Sequence, residues 1–249
     1  GRITNLRSVF FSGYASEPKG ALSWRFDRQL AGSGALGDLL SHVVDLMQYL
    51  VGPVAEVTAL TSTVYAQRPI LPMGSATHFA VIEDGELGTV QNEDYAATLV
   101  RFADDATGAG AVGTLEASRT IVGPQCGLGF EIYGTDGSLA WNFEQMNQLR
   151  VCQGRDGPHQ GYTTVLGNAH LGDYARFQPG PGIAMGYDDL KVTEANKFLV
   201  AVAGGERRNC SVDDALSAAE VVAAAERSAA TGTWHKVPAV AGTTAARRG

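Results

Sequence analysis

Apolar and polar side chains alternate over many short stretches of this chain, which is the pattern of half-buried β-strands. The first stretch covers residues 3–11 and ends in Ser12 and Gly13, so we expect a strand that opens into a loop. Similar β-rich stretches lie at residues 54–65, 95–102, 110–119, 128–133, 138–143, 149–152 and 162–166. Several connections, such as residues 134–137, are too short for a parallel crossover. The pattern therefore predicts a largely antiparallel sheet.

Three other segments have the spacing of amphipathic helices. The first covers residues 38–50 and is stopped by Gly52 and Pro53. The second covers residues 187–203, and the third runs over residues 211–232, beginning with a capping box and ending at a glycine. Helices at the ends of a run of strands predict an α+β fold, in which a large, mainly antiparallel open sheet carries its helices on one face.

Length and composition are consistent with one domain over residues 1–240. The chain has 249 residues, and 45% of them are hydrophobic, which is enough to fill a substantial core. Residues 241–249 contain only Ala, Thr, Gly and Arg without a pattern, and they predict a disordered tail.

Charge and cysteine content narrow the choice of partners and compartment. There are 19 Lys and Arg against 26 Asp and Glu, and the net charge of −7 argues against nucleic acid. No stretch approaches the roughly 20 apolar residues of a membrane span, and the N-terminus does not have the pattern of a signal peptide. Cys126, Cys152 and Cys210 are far apart and fit neither a disulfide framework nor a zinc site. The cytoplasm is the expected location.

Residues 32–37 match the Gly-x-Gly-x-x-Gly motif of dinucleotide-binding proteins, and Glu56 follows at about the expected distance of 20 residues. The surrounding sequence argues against this interpretation. The preceding residues 24–30 are charged and do not resemble a buried parallel strand. Asp38 would also place a negative charge at the helix N-terminus that should receive the pyrophosphate.

The first helix carries its polar residues on one face. Asp38, His42, Asp45 and Tyr49 are spaced i, i+4, i+7 and i+11, and apolar residues cover much of the rest of the helix. A solvated stripe on an amphipathic helix is one interpretation. A metal site is another, although no His or Cys cluster elsewhere completes a coordination sphere, and we expect no metal.

A catalytic interpretation of the same face is chemically natural. Oxidation of a carbinol by hydride loss needs a base for the hydroxyl proton, and imidazole titrates in the right range. A carboxylate one turn earlier can hydrogen-bond the ring and orient it. His42 is therefore a candidate proton acceptor, with Asp38 as the residue that orients it.

Five segments of the sequence form a distinctive combination: SWRFD at residues 23–27, GSGALGDLLSHVVDL at 32–46, GTLEASR at 113–119, FEIYGTDGSL at 130–139 and SAATGTW at 228–234. They resemble segments of the C-terminal domain of the glucose–fructose oxidoreductase, inositol dehydrogenase and rhizopine-catabolism (Gfo/Idh/MocA) family. Together they are far more specific than any one of them alone.

The resemblance implies a two-domain enzyme, in which a Rossmann domain binds NAD or NADP and the α+β domain contributes substrate contacts and subunit interfaces. Asp38 and His42 would act together with a lysine of the nucleotide-binding domain. That lysine and the Rossmann domain are missing from this sequence, which also begins without methionine. We therefore expect a fragment that is inactive as a dehydrogenase by itself.

Other residues are candidates for substrate binding. Similarity to the family places Trp24 and Arg25 near the nicotinamide and the substrate, so that they are also the possible cofactor contacts of this chain, whereas a simple stacked Arg–Trp pair is the alternative. Asp45 shares the polar helix face with His42. We also include Arg119, which either faces the cleft or pairs structurally with Glu116.

The segment of residues 168–182 is rich in glycine, proline and aromatic residues and is long for a connection. His170 resembles a histidine of the family in this loop, and Tyr174 has a ring that can stack on a sugar. Ordinary anchoring of the loop is the alternative for both residues.

The leading hypothesis is an oxidoreductase that transfers hydride between NAD or NADP and a hydroxyl carbon of a sugar or cyclic polyol. The alternatives are a non-catalytic sugar-binding or oligomerisation module and a metal-dependent enzyme. The uncovered face of the sheet predicts a homodimer or homotetramer. The residues leave open the substrate and the choice between NAD and NADP.

Overall fold

The computed structural model of the protein describes residues 1–71, 80–104, 110–154, 160–178, 180–205 and 210–243. The strands are β1 (Ile3–Phe11), β2 (Val54–Ser62), β3 (Gln67–Pro69), β4 (Leu87–Thr89), β5 (Tyr95–Phe102), β6 (Val112–Ser118), β7 (Gly127–Gly134), β8 (Gly137–Asn142), β9 (Gln148–Gln153), β10 (Thr163–Leu166) and β11 (His235–Lys236). The helices are α1 (Arg28–Ala31), α2 (Ser41–Leu50), α3 (Tyr187–Val202) and α4 (Val212–Thr231). A π-helical turn (Leu36–Leu40) precedes α2, and short 3₁₀ turns lie at Trp24–Phe26, Phe143–Gln145 and Gly172–Arg176.

Nine strands form one sheet in the order β10-β9-β8-β7-β1-β6-β5-β2-β11. Every neighbouring pair is antiparallel except β1 and β6, which run parallel. The predicted α+β fold with a mainly antiparallel sheet is confirmed. The parallel pair and the small β3–β4 hairpin were not expected, because a short strand gives little sequence pattern and β1 pairs with a strand far along the chain.

One face of the sheet is covered by α2 and α4, which lie over β1, β6 and β2. Val43, Val44 and Met47 of α2 are fully buried there, and each such side chain contributes roughly 1.5–3 kcal/mol when it leaves water. Ala224 and Ala225 of α4 are equally buried, and their small side chains let this helix lie close to its neighbours. This apolar layer fixes the position of α2, which carries the candidate residues.

Two candidate residues of the first helix, Asp38 and His42, lie near one end of the sheet. This end, which we call the site end, is where β1, β6, β8 and β10 finish and where β5, β7 and β9 begin. The π-helical turn starts there and α2 runs back across the sheet, so that Asp38 and His42 lie above the end of β1.

The C-terminal boundary differs from the expected one. Thr243 is buried and lines a small cavity with Asp45 and Asp214, so the packed part of the chain reaches beyond residue 240. The remainder of the predicted tail, residues 244–249, lies outside the described residues.

Candidate active site

The carboxylate of Asp38 is held by two side chains from the loop that follows β1. The hydroxyl of Tyr14 donates to Oδ2 of Asp38 at 2.5 Å. Arg25 donates from one guanidinium nitrogen to both carboxylate oxygens at 3.1 Å. Arg25 also lies over the rings of Trp24 and Tyr14, at 4.7 and 5.8 Å from their centroids. The four residues form a compact cluster, which we call the Asp38 cluster.

His42 lies on the same helix but outside this cluster. Its imidazole is exposed and meets the ring of Phe10 edge-on, with 5.8 Å between centroids. The hydrogen bonds of the Asp38 carboxylate go to Tyr14 and Arg25, so the expected bond between Asp38 and His42 is not formed. The π-helical turn explains the difference, because its wider i→i+5 pattern rotates Asp38 relative to the residues of α2.

Tyr14 was not among the residues expected at the site. Burial raises the pKa of its phenol well above the usual range, and the hydrogen bond to the Asp38 carboxylate raises it further. The hydroxyl therefore remains a donor to Asp38 at all physiological pH values. A tyrosine in a polar loop has no periodic signal, and only the contact across 24 residues shows its role.

Arg119 is a buried neighbour of the Asp38 cluster. Its side chain is 1% exposed and forms an ion pair at 2.8 Å with Asp94, which is fully buried. It also donates to Asn92 at 2.7 Å and to the backbone carbonyl of Arg25 at 3.1 Å. The expected pairing with Glu116 is wrong, because Glu116 accepts from the hydroxyl of Tyr95 instead. The burial of Arg119 also removes it from the surface of the cleft, and its role is to position Arg25.

The glycine-rich motif at residues 32–37 has its amides already occupied. Glu93 accepts from the backbone N–H groups of Gly34 and Leu36, at 2.7 and 2.9 Å. A Cβ on Gly34 would also lie 1.9 Å from the backbone oxygen of Glu93, which explains the need for glycine there. A buried carboxylate thus stands where a dinucleotide phosphate would bind, and the rejection of this motif agrees with the geometry.

Asp45 faces the groove between α2 and α4. It lies with His42, Ser41 and Cys210 along a cavity of about 500 Å³ whose other wall is formed by α4. Burial raises the pKa of the Asp45 carboxyl, the nearby charge of Asp214 raises it further, and His42 opposes this shift. Asp45 and His42 therefore line the same cleft, whereas Asp38 faces the loop after β1.

Replacing Asp45 by asparagine should stabilise the fold at neutral pH. The raised pKa means that the folded state prefers the uncharged carboxyl of Asp45. The carboxyl therefore stabilises the fold at pH values below its ordinary pKa of 3.8, and this stabilisation is lost as the pH rises through the pKa of the folded state. We expect D45N to raise the free energy of unfolding at pH 7 by less than about 1 kcal/mol, with a gain that disappears towards pH 3.8.

Thermal unfolding followed by circular dichroism across this pH range measures the effect. D84N removes a carboxylate that is exposed on the surface, and it serves as the matched control. Equal behaviour of the two variants at pH 7 would contradict the prediction.

His170 and Tyr174 follow β10, at the site end of the sheet but four strands away from β1. Strands are about 4.8 Å apart, so this offset is on the order of 19 Å. The loop is anchored to α3 by the ion pair of Asp173 with Lys197 and the hydrogen bond of Arg176 with Asn196. His170 is exposed, and the Tyr174 ring packs on Gly167. The structure therefore does not bring these two residues to the Asp38 cluster.

In the part of the chain that the structure describes, no group of three or more His, Cys, Asp and Glu side chains could hold a metal ion. Among the helices in the same residues, none is long and apolar enough to cross a membrane. The three cysteines are free thiols.

Comparisons with known proteins show which family has this fold, an open and mainly antiparallel sheet with α2 and α4 on one face. The family model described as the GFO/IDH/MocA C-terminal domain matches residues 1–140. Levoglucosan dehydrogenase of Pseudarthrobacter phenanthrenivorans is 37% identical over 245 residues, which cover 96% of this chain and 61% of the relative. The chain belongs to the Gfo/Idh/MocA family.

Solved structures extend the comparison. The apo form of levoglucosan dehydrogenase superposes with a TM-score of 0.87 at 35% identity, covering 97% of this chain and 61% of that one. Its complex with NADH and L-sorbose gives a TM-score of 0.84 at 34% identity, over 96% and 60% of the two chains. An NAD-binding oxidoreductase from Klebsiella pneumoniae gives 0.84 at 31% identity, with the same coverage. The chain thus spans about three fifths of the length of these relatives.

Proposed function

We propose that this chain is the substrate-side domain of an NAD(P)-dependent dehydrogenase that oxidises a hydroxyl carbon of a sugar or cyclic polyol. The observation that carries the proposal is the Asp38 carboxylate, fixed by Tyr14 and Arg25 at the start of the helix that exposes His42. The similarity to levoglucosan dehydrogenase, whose structures include complexes with NADH and with levoglucosan or L-sorbose, supports the choice of reaction and substrate class.

The residues of this chain fit the nicotinamide end of the cofactor and not its phosphates. The amides of Gly34 and Leu36 are taken by Glu93, which leaves the pyrophosphate to a nucleotide-binding domain. Trp24 has an indole that is 49% exposed beside Arg25, and this pair would contact the nicotinamide. When bound, the nicotinamide supplies the acceptor for the hydride that leaves the carbinol carbon.

The chemistry assigned to the chain itself is the handling of one proton. As the carbinol carbon loses its hydride, the hydroxyl proton passes to His42 Nε2 or Nδ1, and a C=O group results. Asp38 stays in place through its hydrogen bonds with Tyr14 and Arg25. In this proposal His42 accepts the proton. Asp38 holds Tyr14 and Arg25 in place at the start of the same helix.

The open face of the sheet supports a homodimer or homotetramer. Leu60, Leu99 and Val112 lie on this face and are 61%, 50% and 49% exposed. Arg7 and Glu131 form an exposed ion pair on the same face. A second copy of the chain is the partner that would cover this face, because a symmetric contact buries the same face of both copies.

The test is a nicotinamide-linked assay on the full-length protein, with its nucleotide-binding domain. We expect reduction of NAD⁺ or NADP⁺, followed at the absorbance of the reduced nicotinamide, with at least one compound from a panel containing levoglucosan, hexoses and inositols. The isolated 249-residue chain should bind neither nucleotide tightly. Carbohydrate binding by the full-length protein without turnover of any compound would instead identify a non-catalytic sugar-binding module.

A further inference from the structure

A row of aromatic side chains leads away from His42 across the sheet. The row consists of Phe10 on β1, Phe130 on β7, Trp141 on β8 and Phe143 in the following turn. Phe10 meets His42, Phe130 stacks on Trp141 at 5.8 Å, and Trp141 meets Phe143 edge-on at 6.0 Å. We call these four residues the aromatic row.

The register of the strands places the aromatic row on the face that carries the helices. Phe130 lies directly opposite Trp141, and Ser8, two residues before Phe10, lies directly opposite Phe130, so the three aromatic rings share one face. Phe10 and Phe130 also pack against the edge of the main core. In the described part of the chain, α2 and α4 cover β1, β6 and β2 on this face, and the row begins where their cover ends.

The length of the row determines what it fits. Phe10 and Trp141 are two strands apart, which corresponds to about 10 Å, and Phe143 lies in the turn that follows β8. A single sugar ring that presents its hydroxyl to His42 would lie on Phe10 and would not reach the ring of Trp141. Phe143, which borders Trp141, also meets the ring of Tyr187 edge-on, with 6.5 Å between centroids. The His170 loop lies further along in the same direction, after β10.

The chemistry along the row is that of a surface for neutral ligands. The four side chains carry no charge, and the indole N–H of Trp141 is already satisfied by the carbonyl of Met146 at 3.0 Å. Aromatic faces take up apolar ring surfaces, while amide groups at the border fix orientation by hydrogen bonds. Gln145 is exposed in the turn that follows β8 and has such an amide.

We propose that the aromatic row is a carbohydrate-stacking strip whose Trp141 end binds a second ring, so that the substrate is a glycoside larger than a monosaccharide. This inference rests on the proposed function, because it takes the ring at His42 to be the one that is oxidised. The second ring, a sugar or an aryl group, stacks on Trp141 and Phe143.

The experiment compares methyl and phenyl glycosides of glucose, galactose and mannose in the full-length protein. Binding is read from tryptophan fluorescence, and turnover from nicotinamide reduction. We expect at least one sugar for which the phenyl glycoside binds about tenfold more tightly than the methyl glycoside. W141A should abolish this ratio and leave the affinity for the methyl glycoside within about twofold. W141F should retain most of the ratio, because it keeps an aromatic face.

Two further variants sharpen the test. F143A reduces the ratio without touching a strand, which guards against a W141A protein that fails to fold. W234A removes an exposed tryptophan that stacks on Arg101 by the opposite edge of the sheet, and it should leave the ratio unchanged. Equal affinities for phenyl and methyl glycosides in the wild type, or an unchanged ratio in W141A, would overturn the strip. Absence of turnover together with a Trp141-dependent ratio would instead refute the dehydrogenase proposal alone.

Discussion

Replacing Arg119 by methionine is expected to lower the free energy of unfolding by about 3–5 kcal/mol, because it leaves the carboxylate of Asp94 buried without its cation. Asp94 is fully buried, and its other oxygen accepts from the backbone N–H groups of Val64 and Tyr65. The guanidinium of Arg119 also holds Asn92 and the carbonyl of Arg25, so three internal contacts are lost at once.

Urea unfolding at pH 7, followed by far-ultraviolet circular dichroism, measures this loss as a shift of the midpoint. R7M is the matched control, because Arg7 is 64% exposed in its ion pair with Glu131 and such pairs contribute at most about 1 kcal/mol. The double variant R119M/D94N should lose less than the sum of its single variants, since it removes both charges of the ion pair together. A loss in R119M no larger than that in R7M would contradict the structural role.

The periodic parts of the fold could be predicted from the sequence because each follows from local spacing. The alternation at residues 3–11 and 95–102 gives β1 and β5 with the observed bounds. The capping box at Ser211 forms as expected, and Gly232 ends α4 in the left-handed conformation with φ of 67°. These features depend on contacts between residues close in the chain, which a single sequence contains.

The geometry of the site could not be predicted in the same way. The π-helical turn at Leu36–Leu40 differs from an α-helix only in its hydrogen-bond pattern, which no residue type specifies, and it changes the neighbours of Asp38. Tyr14 reaches Asp38, and Asp94 reaches Arg119, only after the loops after β1 and before β5 meet at the site end. The partner of a buried charge is therefore fixed by tertiary packing, whereas the position of the charge along the chain is fixed by the sequence.

Replacing His42 by alanine in the full-length protein is expected to reduce turnover by about 10²–10⁴-fold, which is the usual contribution of a general base. The variant should fold normally, because His42 is exposed and its ring meets that of Phe10 only edge-on. The Asp38 cluster does not include His42, so Tyr14 and Arg25 should still hold Asp38. The affinity for NADH, measured by fluorescence titration, should remain within about twofold of the wild type.

H235A is the matched control for this prediction. His235 lies in β11 at the far edge of the sheet and contacts Thr231 at 2.9 Å, so its loss should leave turnover unchanged. Turnover of H42A close to that of H235A would remove His42 from the role of proton acceptor. In that case Asp38 would be the remaining candidate of this chain for contact with the reacting hydroxyl. Its carboxylate is one-third exposed while Arg25 holds it. A large loss in H42A with unchanged NADH affinity separates proton transfer from cofactor binding, which is the result that the proposed division of the site between two domains predicts.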